Sequence, residues 1–211
     1  MAWACQKRTA LATDAANAVV YAAAARRGCP PEASAVECLA VRRIMLITTG
    51  GTIEKIYDEQ SGELVNRRSI VRRMLSELRL EDAEVNVFEL LSKDSQDMTD
   101  ADRLRILEAV RASGPDGEGD VTGIVILHGT DTLATTGEML AAALPAPRVP
   151  IVLTGAMRPF DMKQSDALQN LTEALFATGV LPPGIYSVAH GRALPFPGVR
   201  KDRARGTFTR D

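Results

Sequence analysis

Five short apolar runs recur along this chain, near residues 43–48, 85–88, 123–127, 149–154 and 185–189, with stretches of helical periodicity between them. Runs of this kind are too short for buried helices and too continuously apolar for strands with one wet face, so they read as strands buried on both sides. Strands that alternate with helices in this way demand a doubly wound α/β sheet, mostly parallel and flavodoxin-like, with helices on both faces. The periodicity predicts helices over 66–79, from Thr99 or Asp100 to Ser113, from just after Asp131 to Pro145, and from Ser165 to Gly179. In the second of these, Ala101, Leu104, Leu107 and Val110 form the inward face.

The fold is expected to occupy residues 44–211. Residues 1–43 have a different character: they carry fourteen of the chain's alanines and all three cysteines, Cys5, Cys29 and Cys38. They read as an Ala/Arg-rich, non-core N-terminal extension, with a weak secretory signal or transit peptide as the alternative. Three irregularly spaced cysteines make no disulfide framework, and only two histidines are present, which disfavours a histidine-rich metal site. The net charge of −2 supplies no basic face for nucleic acid. No apolar stretch reaches the roughly 18–20 residues of a membrane span, and a cytoplasmic location is expected.

Chemistry collects where the runs end. Gly50-Gly51-Thr52 follows the first run, Ser92-Lys93-Asp94-Ser95-Gln96-Asp97 the second, His128-Gly129-Thr130-Asp131-Thr132 the third, and Thr154-Gly155-Ala156-Met157-Arg158-Pro159 the fourth. Ligands of open α/β sheets bind beyond the carboxyl ends of the strands, so two threonine hydroxyls delivered there suggest a hydrolytic site. Each segment also has a plain structural explanation. Thr52 can bond its own turn, Thr130 or Asp131 can cap a helix, 92–97 can be a solvated turn, and His128 reads as a structural histidine. Four such endings on one sheet rim are harder to explain singly. No G-x-G-x-x-G or P-loop spacing supports a flavin or phosphate binder.

The strings Ile47-Thr48-Thr49-Gly50-Gly51-Thr52-Ile53, His128-Gly129-Thr130-Asp131-Thr132-Leu133 and Thr154-Gly155-Ala156-Met157-Arg158-Pro159 resemble the bacterial-type asparaginase/glutaminase family, and Asp94-Ser95-Gln96-Asp97-Met98 resembles its substrate-binding segment. The resemblance covers about residues 44–211 and is to the short forms that contain only the N-terminal domain; typical members continue into a smaller second domain. It implies a two-threonine amidohydrolase that needs no metal or organic cofactor. Thr52 corresponds to the nucleophile that forms an ester with the substrate's acyl group. Thr130 corresponds to the second catalytic threonine, supported by Asp131 and by Lys201, which follows the last strand in a Val-x-Lys element. Gly51, Ser95, Gln96, Thr130, Asp131 and Ala156 correspond to substrate-binding positions. Tyr57, the only tyrosine in the loop after Thr52, is either the family's lid tyrosine or an ordinary aromatic. The family's first signature usually has a small residue where this chain has Glu54.

The implied reaction is hydrolysis of L-asparagine, with glutamine hydrolysis or a mixed specificity as the alternative. An ammonia-supplying amidotransferase component and a non-catalytic amino-acid-binding module are the competing classes. The expected partners are a small-molecule substrate and a second copy of the chain in a homodimer, with neither nucleic acid nor membrane.

Overall fold

Among the described residues the main sheet has six strands in the order β4 (Ala83–Lys93), β1 (Arg42–Gly50), β5 (Gly123–Leu127), β6 (Pro150–Thr154), β7 (Gly184–Ala189) and β8 (Arg192–Pro195). The structure is a computed structural model and describes residues 41–115 and 119–210. The extension expected over 1–43 lies outside the described residues as far as residue 40, while Arg42 and Arg43 already belong to the first strand. Strands β1, β4, β5, β6 and β7 run parallel, and β8 closes the edge antiparallel to β7. Two hairpins stand apart from the sheet: β2 (Ile56–Asp58) with β3 (Glu63–Val65), and β9 (Val199–Asp202) with β10 (Thr207–Arg210). The helices are α1 (Val71–Ser76), α2 (Asp100–Ala112), α3 (Leu133–Ala143) and α4 (Ala167–Val180).

Both faces of the sheet are dry because alternate side chains of each central strand enter different cores. Ile47, Ile124, Ile126, Ile151 and Leu153 pack with Ile106, Leu107 and Val110 of α2 and Leu133 and Leu140 of α3. Ile44, Leu46, Val125, Leu127 and Val152 pack with Val71 and Met74 of α1 and Leu171 and Leu175 of α4. Two helices per face and five parallel strands make the doubly wound, flavodoxin-like architecture that the spacing of the apolar runs predicts.

Several local expectations need correction. The helix expected over 66–79 is reduced to Val71–Ser76, because the chain before it is engaged elsewhere: the Ser69 hydroxyl reaches Glu54, and Ser69 Oγ accepts the Val71 N–H at 3.3 Å. In α2 the expected inward face is half right: Leu107 and Val110 are buried, but Ala101 and Leu104 are exposed, and Asp102, Arg103 and Ile106 are buried in their stead. Two charged residues share the buried face because Asp102 completes the Thr99 capping box and pairs with Lys93 at 2.8 Å. The helix expected to end at Gly179 continues to Val180. Lys201, expected to follow the last strand, lies within β9 itself.

The strand order places the site. The connection order reverses between β1 and β5, which are neighbours, and the crevice beyond such a reversal is where doubly wound sheets take ligands. Thr52 lies just past the end of β1, and Thr130 just past the end of β5.

Candidate active site

Glycine brings the two threonine-bearing turns together. Gly51 has φ +78°, and a Cβ there would strike Gly129 Cα. A Cβ on Gly129 would in turn lie 2.5 Å from Ser95 Cβ and Oγ. Only hydrogen fits at either position, so the turns after β1, β4 and β5 meet in backbone contact. Thr52 opens a single 3₁₀ turn, Thr52–Glu54, and is half-buried, whereas Thr130 is buried at 3% exposure. The turn after β6 closes against the same point, with a Cβ on Gly155 falling 3.2 Å from Thr130 Cγ2.

Around Thr130 a bonded cluster forms. Lys201 Nζ donates to Thr130 Oγ1 at 2.7 Å and to Asp131 Oδ1 at 3.1 Å. Arg203 Nη1 lies 2.9 Å from the same carboxylate oxygen, and Gln96 Nε2 donates to Asp131 Oδ2 at 3.0 Å. Burial pushes the Asp131 carboxyl up, but the bonds from Gln96 and Lys201 and the charges of Lys201 and Arg203 outweigh it and hold the group below its ordinary value. Asp131 is therefore a fixed anion at the rim. Thr132 Oγ1 donates to the Ser95 carbonyl at 2.8 Å and locks the turn after β4 to the turn after β5.

Lys201 reaches this cluster because its hairpin is seated on α3. Lys201 stands opposite Phe208 in the β9–β10 register, so both project from one face, and Val199 two residues earlier projects from it too. Val199 and Phe208 are buried in the α2/α3 core, which directs the lysine inward. The strand's approach is set by Phe196, whose ring occupies the space a side chain on Gly137 would fill, and by the Gly198 N–H, which donates to Glu138 Oε1 at 2.6 Å.

The turn after β4 is braced from the β1 side. Lys55 Nζ donates to Asp94 Oδ2 at 2.6 Å, and Asp94 Oδ1 accepts the Gln96 N–H at 3.0 Å. A cleft of about 510 Å³ opens beside this pair, lined by Leu64, Asn66 and Asp97 among others; it shares Lys55 and Asp94 with the site but not the threonines.

Ala156 is buried and its segment is held by Asp166, whose carboxylate accepts the Met157 and Arg158 N–H groups. Asn170 Nδ2 donates to the Gly155 carbonyl at 2.8 Å, and His190 Nε2 lies 2.8 Å from Asp166. Asp166, Asn170 and His190 form a support that the reading of motifs missed; Asp166 and Asn170, four apart at the start of a helix after a strand-end turn, were its only sequence trace.

His128 is structural in its surroundings. It is fully buried, its Nδ1–H donates to the Gly129 carbonyl at 2.8 Å, and Nε2 then accepts the Thr136 hydroxyl at 2.9 Å. Burial pushes its pKa down to about 4, so the ring is neutral near pH 7. Tyr57 stands outside the cluster: it is 61% exposed on the β2–β3 hairpin, with its hydroxyl over Gly62 of the same hairpin. Among the described residues no group of three or more His, Cys, Asp and Glu side chains could hold a metal ion, and no helix is long and apolar enough to cross a membrane.

Residues 43–208 match the family model described as Asparaginase, N-terminal. The chain belongs to the asparaginase family. An L-asparaginase of Thermococcus kodakarensis is 33% identical over 144 residues, a match that spans 68% of this chain and 43% of that protein. A glutamyl-tRNA(Gln) amidotransferase subunit of Saccharolobus solfataricus is 34% identical over 146 residues, spanning 67% of this chain and 31% of that one. The solved structure of the thermostable T. kodakarensis L-asparaginase superposes with a TM-score of 0.70 at 30% identity, covering 80% of this chain and 51% of that one. This asparaginase-family chain thus spans about half or less of the length of the relatives it matches.

Proposed function

We propose that the chain is an amidohydrolase that converts L-asparagine to L-aspartate and ammonia through an ester on Thr52. The observation that carries this reading is the Lys201–Thr130–Asp131 cluster, bonded at the β1/β5 crevice and in backbone contact with the Thr52 turn. In this reading the Thr52 oxygen adds to the carboxamide carbon, and its proton passes to the leaving nitrogen. Ammonia departs and leaves the aspartyl ester. Water then adds to the ester carbon while its proton is relayed through Thr130 and Lys201, which returns Thr52 and releases aspartate. The Gly50 and Gly51 N–H groups are taken by Glu54 Oε2 and the Lys93 carbonyl, so other backbone N–H groups of the strand-end turns are the donors for the developing oxyanion. Asp131 and Gln96 take the substrate's α-ammonium end, and Ser95 takes its α-carboxylate. Ala156 lies near the leaving amide.

A second reading, hydrolysis of glutamine to feed ammonia to an amidotransferase, draws support from the similarity to the S. solfataricus protein. One methylene separates the two substrates, and a pocket discriminates that by about 1–3 kcal/mol. A cytoplasmic homodimer is the working assembly, checked by fractionation and light scattering.

The test is ammonia release by the purified chain from L-asparagine and L-glutamine, repeated with Thr52→Ala and Thr130→Ala. Asparagine is expected to be the better substrate. Each variant is expected to lose on the order of 10³-fold or more in kcat with its circular dichroism unchanged. Full turnover by Thr52→Ala would remove the nucleophile assignment, and a preference for glutamine would favour the second reading.

A further inference from the structure

Glu54 is a fully buried acid, 2% exposed, two residues beyond Thr52, in the position where the family's first signature usually has a small residue. Its side chain folds back on its own turn. Oε2 accepts the Gly50 N–H at 3.0 Å, and Oε1 accepts the Ser69 hydroxyl. Gly50, at φ +93°, is the bend from which the Thr52 turn leaves β1, and a Cβ on it would strike the Lys93 backbone at 2.5 Å. Ser69 lies at the far end of the excursion that starts at Lys55 and contains the β2–β3 hairpin. One carboxyl therefore ties the turn of the first threonine to the foot of the hairpin beside the site.

We propose that Glu54 is a positioning residue for Thr52, a clamp whose carboxyl joins the Gly50 N–H to the Ser69 hydroxyl and so sets the turn and the hairpin foot together. The effect on turnover rests on the role proposed for Thr52; the clamp itself does not. Neutral, Glu54 accepts from the Gly50 N–H and donates to Ser69 Oγ, which already accepts the Val71 N–H and turns its own hydrogen away. Ionised, it accepts charge-assisted hydrogen bonds, but the desolvation of a buried carboxylate outweighs them. The ionised clamp is therefore the weaker one and releases the hairpin foot.

The switch falls in a useful range because burial pushes the Glu54 pKa up to about 7, with the Glu89 carboxylate on β4 adding to the rise while the bonds from Ser69, Gly50 and Ile70 oppose it. The other charges of the surrounding elements are engaged away from it: Lys55 with Asp94, Arg67 with Asp58, and Arg72 with Glu89. Arg68 lines the shallow cleft that also holds Ser69 and Glu89.

The test compares wild type with Glu54→Gln, which keeps the shape, accepts from Gly50 and donates to Ser69, and so fixes the neutral geometry at every pH. In wild type, kcat is expected to fall about tenfold as pH rises across a limb centred near pH 7, with KM little changed. Glu54→Gln is expected to lose the limb and stay at the high level. Ser69→Ala, which removes the clamp's anchor on the hairpin foot, is expected to stay near the low level at every pH. Hydrogen exchange of the Gly50 amide, followed by NMR, needs no turnover: its protection factor is expected to fall over the same range in wild type and to stay flat in Glu54→Gln. A limb that persists in Glu54→Gln, or Gly50 protection that is flat in wild type, overturns the proposal. A chain that releases no ammonia but shows the exchange signature sinks the hydrolase reading and leaves the clamp standing.

Discussion

Asp131 takes bonds from Gln96, Lys201 and Arg203, and the three donors are not equivalent. The Lys201 side chain is 15% exposed and also holds Thr130, so it couples the anion to the hydroxyl, whereas the Arg203 side chain is 71% exposed and its pairing is screened by water. Lys201→Met is therefore expected to reduce kcat by about 10²–10⁴-fold, the range for a lost proton-transfer partner. Arg203→Ala is expected to change kcat/KM by no more than about fivefold, since an exposed pair contributes about 0–1 kcal/mol. Steady-state ammonia assays on both variants check the contrast. His128 lies two residues before Thr130, yet both of its ring nitrogens are satisfied by Gly129 and Thr136. Its imidazole resonances are expected to show one neutral tautomer, with Nδ1 protonated, from about pH 5.5 to 8, well above its depressed pKa. Titration within that interval would contradict the burial argument.

The strand-end turns are the elements on which the site depends, and their glycines carry a sharp expectation. Gly51→Ala would set a methyl group against the Gly129 backbone at a positive φ. Overpacking of this kind costs about 1–3 kcal/mol, and the turn must shift to relieve it. The expected result is a loss of at least about 100-fold in kcat, because small misplacements of reacting groups are costly, with the melting temperature lowered by several degrees; a crystal structure of the variant should show the β1 and β5 turns separated. These turns were legible in the sequence because buried parallel strands leave short apolar runs that stop abruptly, and the residues after the stop lie at the rim. The start of α2 was legible to within one residue, with Thr99 or Asp100 as the cap, and the capping box decides for Thr99. What periodicity missed was decided by tertiary contacts. The inward face of α2 includes Asp102, whose burial depends on Lys93 outside the helix, and Arg103, which pairs with Asp100 of the same helix. The β9–β10 hairpin is four residues a side and rich in charged residues, so nothing local marks it as ordered; Val199 and Phe208 become anchors only once α3 is in place. Lys201 could be read from a motif, but not the strand that aims it.

Two buried titratable groups pull the stability of the whole molecule in opposite directions. His128 has a folded pKa of about 4 against an ordinary 6.5, so below pH 6.5 the unfolded chain takes up a proton that the folded chain refuses, and stability is lost as pH falls toward 4. Glu54 has a folded pKa of about 7 against an ordinary 4.5, so its contribution is intact below pH 4.5 and is lost as pH rises through 7. Each limb amounts to about 2–3 kcal/mol, and where they overlap they offset one another. Glu54→Gln is therefore expected to be more stable than wild type in urea at about pH 8 by up to about 3 kcal/mol, with the advantage shrinking to nothing near pH 4.5, the ordinary value of the acid. An advantage independent of pH would contradict the assignment. The ionisation that loosens the Thr52 turn in our proposal thus lowers global stability as well. In our proposal the turns, the cluster and the clamp serve one division of labour, in which Thr52 carries the acyl group while Thr130 and Lys201 move protons. The most direct measurement is mass spectrometry of the purified chain after incubation with an electrophilic asparagine analogue. One adduct per chain is expected, mapped to Thr52 and absent from Thr52→Ala. An adduct on Thr130, or none on a chain that turns over asparagine, would contradict it.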